Sequence, residues 1–335
     1  MTTPDAATEL AGRRRPVVEL NPSAVAAGVL ALAALALGVT TGWQELAQTT
    51  INGLVSGSYF ALGAAGLTLV FGVLKLVNFA HGEFLTFAAY MVIAADSLLG
   101  LPFAARLVVA VLATAAFGLA LELTLWRPMR RRGAGVLQLL LMSLGLAYVI
   151  RNVIQLIAGT DVRTIGSNVT ASVTFGSLHI GRTELWAMLL GLTALLGLAL
   201  LLRYTQLGKQ IRALSDSPEL AETTGIDTER IVLLTWVVAG SLAGLAGVVY
   251  GSSVGVVTPN LGFGIVLSLF AAVIVGGIGN AYGALAGGIL IGLVQEWSTL
   301  VLPANIKVAT GFVVMILVLI LRPQGITGRA RSADR

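Results

Sequence analysis

The sequence predicts an all-α, polytopic integral membrane protein of about ten transmembrane helices, with N- and C-termini cytoplasmic. Three observations carry that prediction. Of 335 residues, 56% are hydrophobic and 11% charged, with a mean hydropathy of +0.90, whereas about a quarter of the residues in a soluble domain are charged. Apolar runs near the ~20 residues that cross a hydrocarbon core fill most of the chain. Lys and Arg gather in short runs between them, as orientation charges do in a bilayer protein. No soluble catalytic domain fits in what is left. The absence of Cys excludes disulfides, thiolate metal sites and Cys nucleophiles. The two histidines, His81 and His179, leave little for a catalytic metal, so no metal is expected. The net charge of +5 reflects orientation charges rather than a nucleic-acid surface.

The first element is a tail, 1–22, carrying Arg13-Arg14-Arg15. The apolar stretch 23–40 that follows reads as a span. Its rival reading is a cleaved signal peptide, against which stand a core longer than the usual one and no clear Ala-x-Ala site. Further spans are expected at 51–71, 84–100, 103–126, 135–157, 183–202, 231–255, 261–278, 281–297 and 308–321. With the N-terminus inside, the inner segments hold Arg13 to Arg15, Lys75, Arg127, Arg130 to Arg132, Arg203, Lys209, Arg212, Arg230 and, in the basic tail 322–335, Arg322, Arg329, Arg331 and Arg335. These are 16 of the 21 Lys and Arg, which favours this orientation. A single helix over the Gly-rich stretch 275–288 would put the basic tail outside. A cytoplasmic break at Gly276, Gly277, Gly279 and Asn280 is therefore expected, glycine permitting backbone angles that a side chain forbids; a re-entrant pair of half-helices has the same parity.

Two loops are long enough to hold structure. The outer loop, 158–182, is rich in Thr, Ser, Gly and Val and suits a small lid or docking surface; Asn168-Val169-Thr170 within it is a glycosylation sequon only in a host that modifies secreted surfaces. In the inner loop, 203–230, Ser215 to Ile226 reads as one short helix. Ser217 is its N-cap, Pro218 its first residue, Glu219 faces the positive end of the dipole, and Gly225 takes the left-handed stop. Such a helix is either a grip for a peripheral partner or a connector that folds back on its own bundle.

Asn78-Phe79-Ala80-His81-Gly82-Glu83 lies between the second and third spans. His81 and Glu83 could do acid–base work, or they cap helix ends and bind neighbouring backbone. Charges inside spans are functional suspects. Asp96 and Glu296 fall near outer ends, Glu122 near an inner end beside Arg127, and Arg151 in the outer third of its span, so snorkelling accounts for them and none is expected near the midplane. That places energy coupling off the chain. ATP hydrolysis is not expected either, since no GxxxxGK[ST] loop exists; Leu207-Gly208-Lys209-Gln210 lacks the upstream Gly and the final Ser or Thr. Glycines four apart recur at Gly53 and Gly57, Gly240 and Gly244, Gly247, Gly251 and Gly255, Gly283 and Gly287, and Gly288 and Gly292. They serve close helix packing, within one subunit or across a dimer.

From Asn52-Gly53 through Asn78-Phe79-Ala80-His81-Gly82-Glu83, across Gly208 to Ile226, and over Ala272 to Gly292, the chain resembles the permease subunits of ABC importers for branched-chain (hydrophobic) amino acids. The resemblance covers roughly 45–328 and implies a multi-pass permease in the bacterial plasma (inner) membrane. It implies as partners a second related permease, commonly in a heterodimer, two cytoplasmic ATPase subunits that bind the ATP, and an extracytoplasmic solute-binding protein. It also implies that Arg212, Ser217, Pro218, Glu219, Leu220, Ala221, Glu222, Gly225 and Ile226 form a coupling helix docked on the ATPase. Many relatives begin near the equivalent of Thr49. The relatives include permeases for urea and short amides, so the signature Asn78, His81, Gly82 and Glu83 does not fix the solute. An ion-driven secondary carrier is the reading from another class; a membrane enzyme would need His, Asp or Glu clustered at one depth.

Overall fold

The computed structural model describes residues 22–165, 172–176 and 178–327. Arg13 to Arg15, the sequon Asn168-Val169-Thr170, and Arg329, Arg331 and Arg335 lie outside the described residues. Among the described residues the fold is helical apart from one hairpin. Helices α1 (Pro22–Thr41), α2 (Trp43–Leu74), α3 (His81–Leu99) and α4 (Phe103–Leu121) are followed by a π turn, Glu122–Trp126, that leads into α5 (Arg127–Arg131). Then come α6 (Val136–Ala158), the antiparallel strands β1 (Ser172–Phe175) and β2 (Leu178–Gly181), α7 (Arg182–Tyr204), α8 (Gln206–Asp216), α9 (Pro218–Thr223), α10 (Thr228–Val254), α11 (Leu261–Gly276), α12 (Ala281–Ser298) and α13 (Lys307–Leu321).

Among the described residues, seven helical stretches are long and apolar enough to cross a membrane: Trp43–Leu74, His81–Leu99, Phe103–Arg131, Val136–Ala158, Arg182–Tyr204, Thr228–Val254 and Ala304–Leu321. Leu261–Gly276 is apolar but shorter, about 24 Å at 1.5 Å per residue. The outer helices carry exposed apolar side chains such as Leu32, Leu156, Leu196 and Ile320. Hydrocarbon accepts that surface, since backbone polar groups are satisfied within each helix.

At the centre stands α2, buried along most of its length, with α12, α10, α11 and α7 packed around it. Small residues make that packing possible. A methyl on Gly57 would lie 2.9 Å from the Ile289 Cα, and one on Gly288 or Gly292 would meet the α2 backbone at Ala61 or Gly57. The other glycine series also pack inside the chain: Gly240 and Gly244 on α4, Gly247 on Leu85, Gly251 on Ile165 and Val257, Gly283 on Gly276, and Gly287 on Ala272. Gly255 is the exception. It ends α10 at φ +76° and meets no neighbour.

The outer loop folds as a hairpin tethered to α2, with Gln48 bonding both the N–H (2.9 Å) and carbonyl (2.6 Å) of His179. Arg163 pairs its backbone with Val257, which fastens this loop to the α10–α11 connection.

Asp96, Glu296 and Glu122 each have a charged partner. Asp96 takes Arg106 at 2.9 Å and Glu296 takes Lys307 at 2.9 Å. Buried Glu122 pairs with Arg130 rather than Arg127, which instead joins Arg131 on Glu229 at the start of α10. The π turn widens the helix there and carries the carboxylate.

Candidate functional site

Two regions carry the residues singled out from the sequence. One is buried in the bundle and the other lies at the end of α2 where α8 and the α11–α12 turn meet, with α9 following on α8.

The buried region starts where α2 stops. Lys75 caps α2 in the left-handed conformation, φ 52°, and Leu76–Ala80 then runs without helical bonding. Leu76, Asn78 and Ala80 are buried. Ser143 on α6 holds this segment by donating to the Val77 carbonyl (3.2 Å) and accepting from the Phe79 N–H (3.1 Å). The Asn78 Oδ1 accepts from the Ala80 N–H at 3.1 Å, turning the chain into α3.

His81 Nε2 lies 3.0 Å from the Gly63 carbonyl. A carbonyl only accepts, so Nε2 carries the proton. Gly63 is eleven residues before the last residue of α2, about 16 Å along the helix. The first turn of α3 is therefore inside the bundle, not at a loop boundary as the sequence implies.

Glu83 is 1% exposed. Its Oε1 accepts from Arg151 Nη2 at 2.6 Å and Nε at 3.1 Å. Arg151 lies about 22 Å into α6, and its guanidinium stands 4.0 Å from the Phe263 ring centroid. Both groups are buried, so the expectation that Arg151 snorkels and that no interior charge exists is corrected: the chain holds an ion pair in its core. Burial of a charge without a partner costs far more than the pairing, and Glu83, 68 residues away in sequence, supplies the partner.

The N-terminus of α11 meets the N-terminus of α3 at this point. The Gly262 N–H donates to Thr86 Oγ1 at 2.9 Å, and the backbones of Gly82 and Gly262 touch so closely that neither has room for a side chain. Both helix ends present their positive dipole near the Glu83 carboxylate. Membrane bundles tolerate such broken helices only where protein surrounds them. With His81 on backbone and Glu83 held by Arg151, the geometry supports a structural hub rather than an acid–base pair.

At the other region, α8 is N-capped by Thr205, whose Oγ1 accepts from the Gly208 N–H at 3.0 Å. The sequence reads a single helix over 215–226; the structure has two, because Ser217 adopts an extended backbone between α8 and α9. Ser217 Oγ accepts from the Leu220 N–H at 3.4 Å, Pro218 opens α9, and Gly225 has φ +81°. Ala221 is buried, whereas Glu219, Leu220 and Glu222 face outward, Leu220 at 67% exposure. Ile226 is half-buried.

Helix α11 ends at Gly276; Gly277 and Gly279 take φ +109° and +83°. Asn280 caps α12 by accepting from the N–H groups of Tyr282 (3.1 Å) and Gly283 (3.3 Å). Its Nδ2 donates to Thr327, whose hydroxyl in turn donates to the Gly276 carbonyl at 2.6 Å. A cavity of about 890 Å³ opens between α2, α8 and this turn, lined in part by Thr68, Arg212, Asp216, Ile274 and Asn280. The structure thus brings Arg212 together with Gly279 and Asn280, and leaves Asn78, His81, Gly82 and Glu83 apart from them in the bundle interior.

Residues 49–321 match the model of the family described as the branched-chain amino acid transport system / permease component. The chain belongs to this family. Among its relatives in the family, the high-affinity branched-chain amino acid transport system permease protein LivH of Escherichia coli is 32% identical over 295 residues, 84% of this chain and 95% of the relative. The permease protein BraD of Pseudomonas aeruginosa is 31% identical over the same shares. A probable LivH of Methanocaldococcus jannaschii is 32% identical over 292 residues, 82% of this chain and 90% of the relative. No solved structure matches the chain. Helix α1 precedes the span matched by the permease family. Family and apolar helices together make this a multi-pass membrane protein.

Three features of this permease escaped the sequence reading: the Arg151 partner of Glu83, the contact of Lys75 with α8, and α8 itself. The first had a signal. An arginine inside a span requires a carboxylate partner, and Glu83 is one of several acidic residues beside apolar runs, so the sequence posed the pairing without choosing the partner.

Proposed function

We propose that the chain is a membrane-spanning permease subunit of an ABC importer for branched-chain or other hydrophobic amino acids in a bacterial inner membrane. Two separate ATPase subunits bind the ATP, a solute-binding protein delivers the amino acid, and a second related permease completes the membrane core. The chain itself carries out no catalysis. All ten apolar helices span or enter the bilayer, with both termini and the loop 203–230 in the cytoplasm.

The observation that carries this reading is α9. A six-residue, doubly capped helix presents Glu219, Leu220 and Glu222 outward while Ala221 anchors it to the bundle. An outward Leu at the tip of a charged helix suits insertion into a groove of a partner. Energy released by ATP then reaches the bundle as a rigid displacement of α8 and α9, which biases it between inward- and outward-facing states.

Glu219→Arg and Gly225→Val test the docking. Affinity purification of the parent from its native membrane is expected to recover an ATPase and a second permease; both variants are expected to insert normally yet lose most of the ATPase and of the transport. Full recovery of the ATPase with both variants would overturn the assignment of α9. Transport by the purified chain alone in liposomes under an ion gradient would replace the importer with a secondary carrier.

Orientation has its own test. Asn280 caps α12, so a cysteine is better placed at Ile278, 54% exposed in the same turn. Ile278→Cys is expected to resist a membrane-impermeant thiol reagent in intact cells and to react in inverted vesicles. Labelling in intact cells would reverse the topology.

A further inference from the structure

We propose that Lys75 is a positioning residue that joins the α8–α9 arm to the buried hub at His81 and Glu83. The inference rests on the importer reading above and names the route by which movement of the arm reaches the bundle interior.

The last carbonyls of a helix lack intrahelical partners and attract a cation. Lys75 satisfies two helices at once. Its Nζ donates to the Gly72 carbonyl of α2 and to the Ser215 carbonyl of α8, each at 2.9 Å. The two helix ends are close as well: a methyl on Gly72 would lie 3.0 Å from Ser215 Oγ. Among the described residues Lys75 is the only non-glycine at positive φ. An L-residue is held in that conformation by its surroundings, here by the two carbonyls its side chain reaches and by the bond from its own N–H to the Phe71 carbonyl at 2.8 Å.

Its place in the chain gives this contact leverage. The residue after Lys75 begins the segment Leu76–Ala80, which turns at Asn78–Ala80, the His81 N–H bonding the Asn78 carbonyl at 3.2 Å, and delivers His81 to Gly63, about 16 Å back along α2. Buried side chains at Leu76, Asn78 and Ala80 and two bonds to Ser143 keep that segment from yielding sideways. A displacement of α8 therefore acts on Lys75, passes along a stiff segment, and arrives at the first turn of α3, where Glu83 holds Arg151 of α6 and Thr86 holds α11. The ammonium is the one side-chain bond that ties α8 to this segment among the hydrogen bonds of the described residues.

The experiment uses the complete complex in proteoliposomes, comparing the parent with Lys75→Met, Lys75→Gly and Lys75→Arg. Lys75→Met keeps the stem and removes the donors. Lys75→Gly removes the side chain but adopts the left-handed backbone freely, so it folds even if Lys75→Met does not. Both are expected to retain the ATPase subunits and the parent's melting temperature while ATP hydrolysed per solute moved rises at least about fivefold, the lower edge of usual coupling effects. Lys75→Arg is expected to restore the parent ratio, because a guanidinium also donates to two carbonyls. A merely structural lysine would change melting and leave the ratio alone. A parent ratio in both Lys75→Met and Lys75→Gly overturns the inference while leaving the importer intact; a parent complex that moves no solute with ATP overturns the importer and the inference with it.

Discussion

Arg151→Met is expected to destabilise the detergent-solubilised protein by about 3–5 kcal/mol, the usual cost of breaking a buried ion pair from one side. The substitution conserves most of the side-chain volume but strips Glu83 of both guanidinium bonds in a place where the carboxylate is 1% exposed and only the Thr86 hydroxyl remains, at 3.4 Å. Glu83→Gln is expected to destabilise as well, by leaving Arg151 over the Phe263 ring without its counter-charge. Together the two changes should recover part of the loss, because neither charge is then left alone. Heating the purified variants and scoring the monodisperse fraction by size exclusion gives the four corners of a double-mutant cycle, where contacting residues couple by about 0.5–3 kcal/mol. Additive losses would show that Glu83 and Arg151 act separately, and the hub would then have to be held by Thr86 and the glycines alone.

Gly262→Ala is the second large effect. A methyl there would overlap the Gly82 carbonyl and crowd Thr86 Oγ1, and a backbone carbonyl in the first turn of a helix cannot swing aside. Overpacking usually costs about 1–3 kcal/mol, and more where the obstacle is main chain. The variant is expected to accumulate poorly and to melt well below the parent. Gly264→Ala is the control: two residues along the same helix it meets nothing within 4 Å and is expected to behave as the parent. Equal behaviour of the two variants would show that the α3–α11 junction has more room than the structure gives it.

Much of the fold was legible because hydropathy and capping are local. Apolar runs marked where helices lie, although α2 extends to Trp43–Leu74 where the hydropathy alone reads 51–71, because its polar first turns hold the outer hairpin and the end of α12. The Ser217–Pro218 start and Gly225 stop of α9, and the glycines between α11 and α12, were legible for the same reason: each depends on backbone angles set by one or two neighbouring residues. The junction was not. Asn-Phe-Ala-His-Gly-Glu, next to a lysine and before an apolar run, has the composition of a loop, and composition carries no information about depth.

What the sequence determined by itself is that this chain is a helical membrane protein and which short segments break or cap its helices. All of that follows from transfer free energies and backbone preferences that each residue carries alone. Only the tertiary structure decided that Leu76–Ala80 returns into the bundle, that Glu83 and Arg151 neutralise each other across 68 residues of sequence, and that Lys75 bridges two helix ends. The physical reason is that a buried charge or an unpaired carbonyl must find a partner somewhere, and which partner it finds depends on distances that exist only once the helices have packed.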